Sequence, residues 1–163
     1  MTAVVVMGVS AAGKSSVASA LSARLHARWI DADHLHPTSN LEKMASGVPL
    51  EDDDRWPWLD LVGARLSERD DIVVACSALR RAYRDRLRSA RPDAVFVHLT
   101  GQRAVLAARA AARDDHFMPA TLLDSQLSTL EPLASDEWGV MVDVDSPLTE
   151  VVDRAAEWLA KNV

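Results

Sequence analysis

The sequence has very little cysteine, no concentrated positive charge and no long apolar run. Cys76 is the single cysteine among 163 residues, so no disulfide can form within the chain, and we expect a protein of the reducing cytoplasm. Basic residues are scattered in a chain of net charge −6, which argues against a nucleic-acid partner, because phosphate backbones bind to a concentrated positive face. No segment approaches the roughly 18 uninterrupted apolar residues of a membrane span, so we expect no membrane partner.

The residues that are abundant suit one domain of alternating strands and helices. With 48% hydrophobic residues, the chain has material for a single core, and we expect one domain over residues 1–163. Short apolar segments alternate with helical patterns, which predicts a three-layer α/β fold with a mostly parallel, five-stranded sheet flanked by helices. The predicted strands are 3–7, 28–31, 71–75, 94–99 and 139–143.

A phosphate-binding loop follows the first predicted strand. Residues 8–15 read Gly-Val-Ser-Ala-Ala-Gly-Lys-Ser, and an apolar stripe at Val17, Leu21 and Leu25 predicts a helix directly after them. Backbone N–H groups converge at such a loop, Lys14 adds a positive charge, and Ser15 offers a hydroxyl to Mg²⁺. The alternative is a glycine-containing turn without a ligand. The flanking strand and helix favour a nucleoside triphosphate site.

Two segments interrupt the regular alternation. Residues 32–57 form a long polar connection after the second strand, and residues 112–120 break the helical pattern after the fourth. Long insertions in compact domains are usually functional, and both segments can emerge at the carboxyl ends of parallel strands, where open α/β sheets bind ligands. We therefore expect a substrate-binding insertion at 32–57 and a small lid at 110–120.

Acidic and imidazole side chains cluster after the second strand. Asp31 and Asp33 suit phosphoryl transfer, which needs one carboxylate near Mg²⁺ and one that orients or deprotonates the attacking hydroxyl. Alternatively, both are turn formers and helix caps. His34 and His36 lack further ligands at zinc spacing. For His36, hydrogen bonding to a hydroxylated substrate is the favoured interpretation.

Arginines recur near the predicted rim of the site. Arg55, Arg80 and Arg84 follow strands or precede core helices, and a convergence of guanidinium groups in a net-acidic chain favours an anionic substrate. Arg109 and Arg113 lead into the predicted lid, where they would bring positive charge to a transferring phosphoryl group. For each of these arginines a solvated surface position is the alternative.

Three motifs together resemble the gluconokinase family. Residues 31–59 run from Asp-Ala-Asp-His-Leu-His-Pro to Asp-Arg-Trp-Pro-Trp-Leu and are similar to its long signature. Residues 76–85 are similar to its third-strand motif, and Arg109-x-x-x-Arg113-x-x-His116-Phe117 resembles its lid. The resemblance covers nearly the whole chain. It implies a shikimate-kinase-like P-loop fold, homodimers, and ATP- and Mg²⁺-dependent phosphorylation of D-gluconate to 6-phospho-D-gluconate.

The resemblance also implies roles for individual residues. Lys14, Asp33 and Arg113 are the expected catalytic residues, Ser15 and Asp31 the metal-binding residues. Gluconate would contact Asp33, His36, Lys43, Arg55, Arg80 and Arg84. Nucleotide would contact Gly8, Val9, Ser10, Ala11, Ala12, Gly13, Lys14, Ser15, Ser16, Arg109 and Pro147.

Four positions depart from the family pattern, namely Ala11, Ala32, Arg80 and Pro119. Ala11 stands where glycine is usual, so we expect its φ to be negative. None of the four removes a required group, although they bear on substrate preference. The alternatives are a shikimate-like or nucleoside-monophosphate-like kinase, and a non-catalytic nucleotide-binding regulator.

Overall fold

The computed structural model describes residues 2–68, 71–112 and 120–163. The strands are β1 (Ala3–Met7), β2 (Arg28–Asp31), β3 (Ile72–Ala75), β4 (Val95–Thr100) and β5 (Gly139–Asp143). The helices are α1 (Lys14–Leu25), α2 (Thr38–Ala45), α3 (Asp52–Ser67), α4 (Arg81–Ala90), α5 (Arg103–Ala111), α6 (Ala120–Thr129) and α7 (Leu148–Asn162), with short 3-10 helices at Ser10–Ala12 and Ala32–Leu35.

The five strands form one parallel sheet in the order β2-β3-β1-β4-β5. Each predicted strand lies within one residue of an observed one, and the α/β prediction is confirmed. The central strands β1 and β3 are buried along their whole length, as expected where helices cover both faces of a parallel sheet. Their continuous β-branched sequences are therefore the most predictable part of the fold.

Helix α3 begins earlier than its proline suggests. The sequence places the helix start at Asp54 with Pro57 near the first turn, but the helix begins at Asp52. Glu51 and Asp54 form a reciprocal capping box there, which satisfies two amides at the helix start. Beyond Pro57 the predicted inward face is observed, because Leu59, Val62 and Leu66 are buried.

The parallel strands bring three loops to one edge of the sheet. The phosphate loop follows β1, the 3-10 helix at Ala32–Leu35 follows β2, and residues 76–80 follow β3. The insertion after β2 continues through α2 and is held to α3 by Trp58, whose Nε1 donates to the carbonyl of Ala32 at 2.7 Å. Among the described residues, no helix has the length and apolarity that crossing a membrane requires.

Candidate active site

The phosphate loop depends on two glycines with left-handed backbone. Gly8 has φ +146°, and a Cβ there would lie 2.8 Å from the carbonyl oxygen of Leu99. Gly13 has φ +86° and precedes α1. Between them, Ala11 lies in the 3-10 turn and is not among the described residues with positive φ, as expected from its sequence. The loop can therefore carry alanine at this position without backbone strain.

The start of α1 completes an anion cradle. The first intrahelical bond runs from the amide of Val17 to the carbonyl of Gly13, so the amides of residues 14–16 have no acceptor within the helix. The Lys14 side chain is buried and its Nζ donates to the carbonyl of Val9 at 3.0 Å, across the loop. Helix amides, a positive helix end and an ammonium group together suit the phosphates of a nucleotide.

Ser15 and Asp31 supply oxygen ligands of the kind that Mg²⁺ prefers. Ser15 Oγ donates to Asp31 Oδ2 at 2.6 Å, and Asp31 Oδ1 accepts the amide of Asp33 at 2.9 Å. Asp31 thus caps the 3-10 helix, as the turn-and-cap alternative predicts, and also faces the phosphate loop. Within the described ranges, no group of three His, Cys, Asp or Glu could cage a metal ion. Two oxygen ligands therefore fit Mg²⁺, which is usually held with phosphates and water.

One cavity joins the phosphate loop to the insertion. It is lined by Lys14 from the loop, Asp33, His36 and Arg55 from the insertion and α3, and Ser77 from the segment after β3. The Asp33 side chain is 61% exposed. The phosphate cradle and the predicted acceptor side chains therefore open onto the same cleft.

His36 is held rigidly at the wall of this cavity. Its ring stacks on Trp58 with centroids 4.0 Å apart and an interplanar angle of 15°. Its Nδ1 lies 3.2 Å from Nδ2 of Asn40, and its Nε2 lies 3.8 Å from Oδ1 of Asp33. Burial lowers the pKa of His36 below its usual value, against the opposing charge of Asp33. The imidazole is thus a neutral group at physiological pH.

Arg55 reaches the cavity from α3 and is supported from behind. Its Nη1 donates to the hydroxyl of Tyr83 at 3.0 Å and lies 3.7 Å from Oδ1 of Asp52. The Tyr83 hydroxyl in turn donates to the same Asp52 oxygen. Burial and the bond to Asp52 raise the pKa of Tyr83, so the phenol stays protonated. Arg80 lies in the adjoining depression, half exposed, with Nη1 4.0 Å from Asp52. The two arginines could meet an anionic group from the same side.

The structure corrects the expected positions of Arg84 and Lys43. Arg84 is 1% exposed and points away from the cleft; its guanidinium forms two bonds, of 2.7 and 2.8 Å, to the buried carboxylate of Glu137. The four-residue spacing predicts one helical face for Arg80 and Arg84, but Arg80 is the N-cap of α4 and half exposed, whereas Arg84 is buried. Lys43 donates to Asp54 at 2.8 Å and is not among the residues that line the cavity. Neither side chain is placed to bind a substrate there.

Arg109 lies on the opposite side of the phosphate loop. Its guanidinium donates to the carbonyl of Val144, and it shares a depression of about 200 Å³ with Gly13 and Ser146. Pro147 is the N-cap of α7, directly after Ser146. Arg113 and most of the predicted lid fall in 113–119, outside the described residues.

Several residues at the site escaped sequence reasoning. Gln126 of α6 accepts the amide of Ser10 at 2.8 Å and lines the cavity. The sequence predicts core or rim packing with no cofactor role for Trp58, and it gives no separate expectation for Asn40. Nothing local in the sequence marks Gln126 or Asn40, whereas a tryptophan on the inner face of α3 beside a functional insertion was an available signal. The apolar segment 72–75 predicts that Cys76, which follows it, is a small buried residue. Cys76 is buried, and burial raises the pKa of its thiol to about 12.

Comparison with known proteins first defines a class. The sequence profile of the AAA domain family matches residues 4–133. A shikimate kinase from Bacteroides thetaiotaomicron, only 17% identical, superposes with a TM-score of 0.74 over 98% of each chain. With the parallel sheet and phosphate loop described above, these matches define a P-loop protein with the shikimate-kinase fold.

Closer relatives define the particular family. The thermoresistant gluconokinase of Escherichia coli (strain K12) is 45% identical over 162 residues, which cover 96% of this chain and 93% of the relative. The crystal structure of a gluconokinase from Sinorhizobium meliloti 1021 superposes with a TM-score of 0.93 at 49% identity, over 98% of this chain and 92% of that one. The chain belongs to the gluconokinase family, and the resemblance in its motifs is confirmed.

Proposed function

We propose that the protein transfers the γ-phosphoryl group of ATP to the 6-hydroxyl of D-gluconate and so forms 6-phospho-D-gluconate and ADP. One observation carries this proposal: Lys14 of the phosphate loop and Asp33 of the insertion line the same cavity. A donor site and an acceptor site must meet in this way for direct transfer. The family relationship identifies gluconate as the acceptor.

The nucleotide side would work by positioning and charge. The amides of residues 8–16 and the Lys14 ammonium would hold the phosphates, with Arg109 and Pro147 beside the rest of the nucleotide. Ser15 and Asp31 would hold Mg²⁺, which neutralises phosphate charge when bound. Lys14 is already buried and directed across the loop, so its charge needs no reorganisation as the transferring group develops negative charge.

The acceptor side would orient one hydroxyl and one carboxylate. Asp33 would accept the proton of the 6-hydroxyl. The hydroxyl oxygen would then bond to the γ-phosphorus while the bond between that phosphorus and the ADP oxygen breaks. His36 would bind a hydroxyl of the sugar acid. Arg55, held by Tyr83 and Asp52, would pair with the gluconate carboxylate, with Arg80 at the rim. Arg113 would contribute from the lid.

We also propose that the protein is a homodimer, which the family resemblance supports, and that it lies in the cytoplasm, which its single cysteine suits. Sedimentation equilibrium of the purified protein tests the dimer. A single species of 17.8 kDa at working concentration would contradict it.

ADP release in the presence of ATP, Mg²⁺ and single acceptors tests the reaction. The panel contains D-gluconate, epimeric sugar acids, shikimate and nucleoside monophosphates. We expect D-gluconate to stimulate ADP release far above every other acceptor. Stimulation by shikimate or a nucleoside monophosphate alone would select a different kinase, and release that is independent of any acceptor would contradict phosphotransfer.

A further inference from the structure

Asn40 connects the insertion to the side chain of His36. It lies on α2 and is 2% exposed. Its Nδ2 is 2.9 Å from the carbonyl oxygen of Asp54 and 3.2 Å from Nδ1 of His36. One amide group thus touches both the start of α3 and the imidazole ring.

These two contacts determine where the imidazole carries its proton. The Asp54 carbonyl can only accept a hydrogen bond, so the Asn40 atom that faces it must be the amide nitrogen and not the oxygen. The second hydrogen of that nitrogen then points at Nδ1 of His36, which must accept it. In a neutral ring the proton consequently lies on Nε2.

Stacking and a backbone hydrogen bond hold the plane and position of the ring, and the contact from Asn40 to Nδ1 selects which ring edge faces the cavity. One face of His36 stacks on Trp58, and Trp58 is itself tied to the Ala32 carbonyl at 2.7 Å. The His36 amide donates to the carbonyl of Asp33 at 3.3 Å, which fixes the backbone between the two side chains. Nε2 therefore stays at the cavity wall, beside the Asp33 carboxylate.

We propose that Asn40 is a positioning residue that keeps His36 as an Nε2–H donor next to the Asp33 carboxylate, which is an acceptor. The 3.8 Å between Nε2 and Oδ1 is too long for a direct hydrogen bond, so both groups can bind one incoming hydroxyl. That hydroxyl would accept from His36 and donate to Asp33, in the orientation that attack on phosphorus needs. This inference rests on the proposed function, and it assigns the proton-accepting role to Asp33 alone.

The tautomer can be measured directly without substrate. Long-range ¹H–¹⁵N NMR of the nucleotide-free protein distinguishes Nε2–H from Nδ1–H imidazole, and the spectrum of His36→Gln identifies the His36 signals. We expect the Nε2–H form for His36. An Nδ1–H ring would overturn the proposal whatever the enzyme phosphorylates.

Asn40→Asp tests the consequence for turnover at nearly constant size. A carboxylate only accepts hydrogen bonds, so it favours a proton on Nδ1 and, in the neutral ring, leaves Nε2 without one. We expect kcat with gluconate to fall about tenfold to a hundredfold, by analogy with the loss seen when the partner that orients a metal-ligating histidine is removed, with the KM for ATP unchanged. Asn162→Asp is the control. It makes the same charge change, and it also loses an amide N–H that donates to a carbonyl, here that of Trp158. This variant should retain full activity.

A double variant separates positioning from packing. Glutamine at position 36 offers an amide N–H in place of Nε2–H and has no tautomers, so Asn40→Asp should cost less than about twofold in the His36→Gln background. An equal loss in both backgrounds, or a loss in Asn40→Asp with the Nε2–H tautomer intact, would overturn the proposal. A wild-type protein with the Nε2–H ring and no gluconate turnover would instead refute the proposed function alone.

Discussion

Replacement of Arg84 by methionine should destabilise the fold through a buried ion pair. The Arg84 and Glu137 side chains are 1% and 0% exposed and bonded at 2.7 and 2.8 Å. The same guanidinium donates to the carbonyls of Ala78, at 3.0 Å, and Glu131, at 3.1 Å. Arg84 therefore ties the segment after β3 to the segment after α6.

Loss of Arg84 leaves the buried Glu137 carboxylate without its main positive partner. Removing one partner of a buried pair costs about 3–5 kcal/mol, because the remaining charge loses its compensation. Glu137 would keep Arg88 at 2.9 Å, which reduces the cost. Four carbonyls would lose a donor, which increases the cost, namely those of Ala78, Leu79, Glu131 and Pro132. We expect Arg84→Met to lower the free energy of unfolding by about 4 kcal/mol. For a chain of this size, that is a fall in Tm on the order of 10 °C.

Urea denaturation followed by circular dichroism measures this loss. Arg86→Met is the matched control on the same helix, because Arg86 pairs with Asp60 on the surface and its removal should change stability little. Arg84→Met with Glu137→Met should recover part of the loss, since no buried carboxylate then remains, although Arg88 and the amide of Ala134 lose an acceptor. An Arg84→Met protein of wild-type stability with a raised KM for gluconate would refute this assignment and restore the substrate-binding role that sequence spacing predicted.

Three further predictions concern the site and the core. Lys14→Ala should lower kcat by roughly a hundredfold or more, because a preorganised charge on the phosphates is lost; near-normal turnover would contradict its role. Asp33→Asn should abolish phosphotransfer while calorimetry shows unchanged ATP binding, and the surface variant Asp60→Asn should keep both; parallel loss of ATP binding in Asp33→Asn would indicate a structural role for Asp33. Burial, aided by the charge of Arg84, lowers the pKa of His98 to about 4 from 6.5. The unfolded chain therefore binds this proton near pH 6.5 and the folded chain only near pH 4, so the free energy of unfolding is greatest above pH 6.5 and falls by about 3 kcal/mol as the pH drops toward 4. His98→Phe should flatten this pH dependence of urea unfolding. An equally steep profile in that variant would contradict the prediction.

The sheet was predictable because its strands carry an unambiguous local signal. Residues 3–7 and 72–75 are continuous apolar, largely β-branched segments, and strands buried on both faces require such segments. The phosphate loop follows the first of them, so topology places Asp31 and Asp33 near it once the strands are taken as parallel. The sequence therefore predicts that the phosphate loop and the acidic residues after β2 lie at the same edge of the sheet.

The side-chain partners were not predictable, because they lie far apart in the chain. Spacing suggested that Arg84 faces the substrate, but its partner Glu137 is 53 residues away, and no local pattern shows which carboxylate a guanidinium will meet. Lys43 was likewise expected in the pocket, and Asp54 holds it elsewhere. The start of α3 was misplaced for a local reason, because proline gave a stronger signal than the Glu51 capping box.

NMR identification of the reaction product tests the central claim most directly, namely that the phosphate loop and the insertion act together on the terminal hydroxyl of gluconate. The purified protein is incubated with ATP, Mg²⁺ and ¹³C-labelled D-gluconate, and ³¹P–¹³C couplings locate the new ester. We predict a single phosphomonoester on C6 that forms in step with ADP. An ester on another carbon, or inorganic phosphate as the only new phosphorus species, would contradict the account.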